Sequence, residues 1–133
     1  MNGISLDGLM DFLLGYRMKT SSCKAKGRNL QNFIVDELRE SFNLDINEPD
    51  RYSGEVQAQV MGASGTDVKL SPVAKLLIPY DIECKNQENW SIPSWWKQTI
   101  ANTEKDRKPL LIIKKNRQEP LVVLKWSDFK ELL

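Results

Sequence analysis

The sequence predicts an α/β domain around a mixed central sheet, and three observations predict it. Leu30, Phe33, Ile34 and Leu38 recur at i, i+3, i+4 and i+8, the spacing of one buried helix face. Downstream the period shortens, with short apolar or alternating blocks at 55–61, 67–70, 80–85, 110–114 and 121–124. A second helical stretch, 92–102, falls between those blocks, the order of elements that wraps helices around a sheet. With 133 residues, 41% hydrophobic and 28% charged, the chain is sized for one domain with an ordinary core.

In order along the chain, Leu6 to Tyr16 reads as an amphipathic helix. It has no basic start, and an acid falls inside its apolar part, so it is not read as a secretory signal. Residues 17–25 are polar and read as a loop, and a second helix runs from about Gly27 to Phe42. Asn, Asp, Pro and Gly over 43–54 end it. Glu55 to Met61 is a strand, Gly62-Ala63-Ser64-Gly65 a tight turn, and Asp67 to Leu70 a short strand. Ser71 and Pro72 start a helical turn through Leu76, as cap and first position. Tyr80 to Lys85 is a strand, and Ile92 to Asn102 is a helix announced by Ser91 and Pro93. Leu110 to Lys114 and Leu121 to Leu124 are strands joined by a charged turn, and Ser127 caps a last helix ending at Leu133. The expectation is a single domain over 1–133, with residues 1–23 as a helix and loop appended to a core at 24–133.

Composition excludes several chemistries. There is no histidine, and Cys23 and Cys84 lie far apart with no metal-ligand spacing. Histidine general bases, serine triads and imidazole zinc sites are therefore out, leaving carboxylates, lysine and a hard oxygen-ligated cation. No apolar run approaches a membrane span, and a cytoplasmic, reducing location is the default. The net charge of +1 does not announce a nucleic-acid binder. Its distribution says more: Lys105, Arg107, Lys108, Lys114, Lys115 and Arg117 form one basic group, and Lys24, Lys26 and Arg28 another. Such groups either meet phosphates or are a solvated surface.

The informative segment runs from the 62–65 turn to Lys85. Glu83 and Lys85 are two apart in a strand, so they leave one face, while Ile82 and Cys84 point into apolar packing. Pairing of the neighbouring strands would bring Asp67 beside Glu83. Two carboxylates that close repel unless a cation sits between them, and Mg²⁺ suits carboxylate oxygens. Such a cation supports attack of water on a phosphodiester, with Lys85 orienting or deprotonating the water or steadying the phosphate. The main-chain carbonyl of Cys84 is a further candidate ligand. Taken alone, an E-x-K triplet is common and reads equally as a surface strand with an i, i+2 ion pair.

KGRNLQNFIVDEL, GASGTDVKLSP, IECKNQE and PLLIIKKNRQEPLVVL, in that order, resemble small phage-encoded PD-(D/E)XK nucleases of the Holliday junction resolvase-like kind. The resemblance covers about residues 24–133, and D…ECK with the NQE after it is its most specific part. The first core helix also resembles archaeal junction resolvases, which open with Lys-Gly followed by an acid, at the place of Gln31 here. The resemblance implies a restriction-endonuclease-like core with Asp67, Glu83 and Lys85 as metal-binding and catalytic residues. It implies Mg²⁺ or Mn²⁺ as cofactor, branched DNA as substrate and a homodimer, for which Met10, Phe12 and Leu13 are candidate contacts. It also implies that Gln31 is an outer metal or water contact and that Ser64 touches the scissile phosphate. Thr66 stands in place of the motif's proline, and Gln31, being neutral, is a weaker ligand than glutamate, which favours one tightly held metal.

Six further positions carry two readings each. Glu37, on the expected apolar arc, is a further metal ligand or, preferably, a helix-edge acid paired with a lysine. Gln98 shares a stripe with Trp95 and Asn102 and either braces the site, as a helix glutamine does in related nuclease folds, or faces solvent. Trp90, Trp95 and Trp96 stack on bases or belong to the core, with Trp96 placed in the core beside Ile92 and Ile100. Cys84 is a buried structural thiol in preference to a nucleophile. The other functions in view are a nuclease of the same kind acting on single-stranded, flap or foreign DNA, and a nucleic-acid-binding module that does not cut. The intact Asp67, Glu83 and Lys85 set argues against the module.

Overall fold

The computed structural model describes residues 20–133. The helix expected at 6–16 and the contacts proposed for Met10, Phe12 and Leu13 lie outside them. The described chain starts with α1 (Thr20–Phe42), which begins well before Gly27, so residues 20–25 are helix and not loop. Its inward face is also rotated from the expected one. Leu30, Ile34 and Val35 are buried with Gln31 and Arg39, whereas Phe33 is 47% exposed and Glu37 is exposed. The reason is polar: both Gln31 and Arg39 find partners inside, so the buried arc turns toward them and away from Phe33.

Arg39 is the anchor of the segment that follows. Its guanidinium donates to the carbonyls of Val56 (3.0 Å), Glu48 (3.1 Å), Asp50 (3.1 Å) and Ser53 (2.6 Å) and pairs with Asp45 at 3.3 Å. Asp45 in turn accepts the N–H groups of Glu55 (2.9 Å) and Val56 (2.8 Å). Gly54 lies against this carboxylate with φ +98°, and a Cβ there would meet Asp45 Cγ at 2.6 Å. One buried arginine thus supplies hydrogen bonds that an irregular thirteen-residue connection lacks.

The segment leads into a two-stranded antiparallel hairpin, β1 (Val56–Ala58) and β2 (Val68–Leu70), shorter than the alternation suggested. Ser71 then caps α2 (Pro72–Leu77), its hydroxyl accepting from Ala74 N–H at 3.1 Å, as expected. β3 (Tyr80–Asn86) pairs in parallel with β4 (Lys108–Lys114), and β4 pairs antiparallel with β5 (Leu121–Val123). The expected mixed sheet is therefore present, with the hairpin as a separate small sheet beside it. α3 (Ile92–Asn102) crosses between β3 and β4, and α4 (Trp126–Lys130) closes the chain. Lys125, not Ser127, is the cap of α4.

The β3–β4 layer has helices on both faces. Ile82, Cys84 and Ile112 pack with Leu30, Ile34 and Val35 of α1, while Leu111 and Ile113 pack with Trp95 of α3. Trp95 and Thr99, rather than Trp96 and Ile100, are the buried residues of α3. Thr99 is tolerated inside because its hydroxyl donates to Trp95 O at 2.8 Å.

Replacing Arg39 with alanine should cost about 3–5 kcal/mol, because it strands the buried Asp45 and several carbonyls. Arg51→Ala, which breaks only the exposed pair with Asp36, should cost at most about 1 kcal/mol. Denaturant midpoints of the two variants check the contrast, and equal losses would show that Arg39 does not anchor the loop.

Candidate active site

β3 carries Asp81, Glu83 and Lys85 on the face toward α3, in the register expected from their spacing, with Ile82 and Cys84 in the opposite core. Each acid on that face is gripped. Asp81 accepts Arg107 Nε at 2.7 Å and Glu104 N–H at 2.9 Å. Glu83, only 2% exposed, accepts Asn102 Nδ2 at 2.8 Å.

Asp67 sits one residue before β2, after a turn in which Gly62 and Gly65 have positive φ. It is tied to the free edge of β3. Its N–H donates to Ile82 O at 3.1 Å, and its Oδ2 accepts Cys84 N–H at 2.7 Å. On the other edge of β3, Pro79 O and Gln87 N–H bond to β4. N–H and C=O of one strand residue leave by the same edge, so the Cys84 carbonyl also leaves beside Asp67. Gln31, 4% exposed, closes the assembly from α1: its Nε2 donates to Gln59 O at 3.1 Å and to Asp67 O.

The Glu83 carboxyl is pushed up to about 8. Burial is the main cause and the Asp67 charge the next; the Asn102 hydrogen bond and the Lys85 charge oppose them. Lys85 is half-buried and acts on Glu83 as a nearby charge. The Cys84 thiol is buried, and burial followed by the two acid charges pushes it well above its usual range, which removes thiolate chemistry.

Among the described residues no group of three Cys, Asp or Glu converges as a metal cage. The donors on hand still fit a hard divalent cation. A protein N–H holds one oxygen of each carboxylate, leaving the other, and the Cys84 carbonyl adds a third oxygen. Both hydrogens of the Gln31 amide are committed to carbonyls, so only its Oε1 remains to meet a cation or water.

Asp67, Glu83, Cys84, Lys85 and Gln31 line one cleft of about 630 Å³. Lys24, Lys26 and Gly27 of α1 form one wall, Met61, Ala63 and Gly65 a second, and residues 86–89 with Gln98 a third. Ser64 is exposed on the turn, its carbonyl accepting from Gln59, and the cleft is lined by its neighbours. Arg28 and Glu37 are exposed on α1 outside the cleft lining. Of the downstream basic group, Arg107 is spent on Asp81 and on the carbonyls of Lys75, Ile78 and Tyr80, and Lys108 on Glu131. Lys114 donates to Lys115 O, and Lys115 sits 4.8 Å over the Trp90 ring. Arg117 is exposed on the same turn, which reaches the cleft wall through Asn116 N–H to Glu88 at 2.8 Å.

A family model described as "Phage putative PDDEXK endonuclease" matches residues 22–132. The chain belongs to this family. Its α/β architecture, a mixed sheet between helices, is the restriction-endonuclease-like core, so the phage PD-(D/E)XK part of the resemblance holds. No curated protein and no solved structure matches the chain. Among the described residues no helix is long and apolar enough to cross a membrane.

The site residue that spacing alone gives no role is Asn102. Its only signal is its place on one stripe with Trp95 and Gln98, along which Trp95 is buried, Asn102 half-buried and Gln98 exposed at the cleft.

In the metal-free endonuclease the raised Glu83 carboxyl has a defined sign. An unfolded glutamate ionises near 4.5 and the folded one near about 8, so stability from this group is lost as pH rises between those values. Glu83→Gln should therefore raise the melting temperature in EDTA at pH 8, with the gain shrinking toward pH 4.5. Melts across that range check it; a wild-type protein as stable as the variant at pH 8 would show that burial and the Asp67 charge do not raise the Glu83 carboxyl.

Proposed function

We propose that this family member is a Mg²⁺- or Mn²⁺-dependent DNA endonuclease whose active centre is Asp67, Glu83 and Lys85. The observation that carries the reading is the carboxylate pair in the cleft, with a strand-edge carbonyl beside it and, among the described residues, no guanidinium bonded to it. The two acids and the Cys84 carbonyl would hold the cation, in keeping with the one tightly bound metal that a neutral Gln31 favours. A bound divalent cation supplies positive charge to the scissile phosphate and makes water at the site more acidic. The chain's own residues do the rest. Lys85 orients the attacking water or steadies the charge growing on the phosphate, and Gln31 Oε1 holds water at the inner end of the cleft. Lys24 and Lys26 take the DNA backbone along the α1 wall, and Ser64 presents the turn to the scissile phosphate. Lys114, Lys115 and Arg117 extend that path through the turn joined to Glu88.

Branched DNA is the proposed substrate and a homodimer the proposed working form, acting in the cytoplasm of the cell that makes it. Support for the substrate and the dimer comes from the resemblance to junction resolvases, support for the location from the two far-apart cysteines of the sequence, and support for the chemistry from the cleft. The test is cleavage of a four-way junction, a linear duplex and single-stranded DNA, with and without Mg²⁺.

Asp67→Asn and Glu83→Gln should each slow metal-dependent cleavage of the junction by roughly 10²–10⁴-fold while leaving metal-free binding to it intact. Wild-type cutting by both variants would remove the active-site assignment, and preferred cutting of linear or single-stranded DNA would remove the branched substrate.

Lys24→Ala with Lys26→Ala should weaken binding of every duplex sequence alike and reduce the slope of log affinity against log salt by about 1.8, the loss of two phosphate contacts. A salt titration with an unchanged slope would place the DNA away from the α1 wall.

A further inference from the structure

α3 ends on Asn102, and that side chain does not turn back to cap its own helix. Its Nδ2 donates across to Glu83 Oε1 at 2.8 Å. The helix end that presents it is fixed from within: Thr103 Oγ1 donates to Thr99 O at 2.7 Å, and Thr99 Oγ1 to Trp95 O at 2.8 Å. It is also fixed to the strand. Two residues on, Glu104 N–H donates to Asp81 Oδ2 at 2.9 Å, while Arg107 Nε holds the other Asp81 oxygen at 2.7 Å. The end of α3 and the loop after it are therefore joined to β3 at two successive residues of one face, Asp81 and Glu83.

We infer that Asn102 is a positioning residue for the cleavage site. It fixes one oxygen of Glu83 and so determines which oxygen is offered toward Asp67 and the cation; metal affinity and cleavage rate follow from that orientation without contact to DNA. The residue type suits the task. A carboxamide donates a hydrogen bond without adding charge, whereas an acid would put a third negative group against the pair. A lysine or arginine would neutralise Glu83 permanently and compete with the cation for it. The inference rests on reading Asp67, Glu83 and Lys85 as the nuclease centre.

The test uses the full chain carrying Asn102→Ala, Asn102→Asp or, as reference, Glu83→Gln. Asn102→Asp keeps size and packing but replaces the donor with an acceptor, so it decides the matter if Asn102→Ala does not fold. Mn²⁺ binding to the DNA-free protein is followed by paramagnetic resonance, and single-turnover cleavage at saturating enzyme is measured across metal concentrations. Thermal melts and metal-free DNA binding are recorded beside them. Loss of the donor should weaken Mn²⁺ binding or slow cleavage by about 10–100-fold in Asn102→Ala, with metal-free DNA binding unchanged. In Asn102→Asp the half-saturating metal concentration should shift and the rate at saturation should fall. A purely structural role would instead lower the melting temperature and leave both metal titrations where they are, which overturns the inference. If Asn102 variants match wild type while Glu83→Gln is inactive, Asn102 loses its role and the nuclease centre stands. If Glu83→Gln also cuts at the wild-type rate, both readings fall.

Discussion

Two carboxylates, Asp67 and Glu83, are pressed together at the floor of a cleft, and much of the surrounding structure is arranged around holding them there. The same protein shows how it treats acids that are merely structural. Asp45 and Asp81 are each matched by a buried guanidinium, Arg39 and Arg107, with backbone N–H groups completing their shells. Among the described residues, Asp67 and Glu83 receive neutral donors, the Cys84 N–H and the Asn102 amide, with Lys85 acting as a nearby charge. Placing two acids side by side without a guanidinium is costly, and the contrast with Asp45 and Asp81 is what the proposed function draws on.

The two arginines hold irregular backbone in place. Arg39 gathers the carbonyls of the segment after α1, and Arg107 those of Lys75 in α2, Ile78 in the short link and Tyr80 at the start of β3. One steadies the approach to the hairpin that contains Asp67, the other the start of the strand that carries Glu83. Positive charge counted along the sequence therefore overstates what is available to DNA. The part of it that reaches the cleft is lysine at the start of α1 and Lys85.

Periodicity made the elements legible because most of them bury one apolar stripe. β3, α2 with its Ser71 cap, and α3 all sit where spacing placed them. The same habit misplaced the buried side of α1. Counting only apolar residues put Phe33 inward, whereas Gln31 and Arg39 are interior because each has partners there. The helical start at Thr20 was hidden by polar residues that have no apolar partner to pattern against. Glu83 and Lys85 could be named because two-residue strand spacing fixes a common face, and Asp67 because the short strand after the glycine turn is expected to pair beside them. Asn102 could not be given its role, since a contact across 19 residues depends on how α3 is set down on the sheet.

β3 and β4 run parallel, so the chain must pass through the whole of α3 before their pairing can form. The β1–β2 hairpin is local by comparison. Loop-closure entropy favours the hairpin as the earlier unit and the crossover as the later one. Asp67 is thus presented by a piece that forms early, whereas Glu83 is braced by the crossover itself. A newly made chain whose crossover has not closed already contains both acids but has no site. If the proposed centre is the one that cuts, cutting has to wait until the crossover has closed.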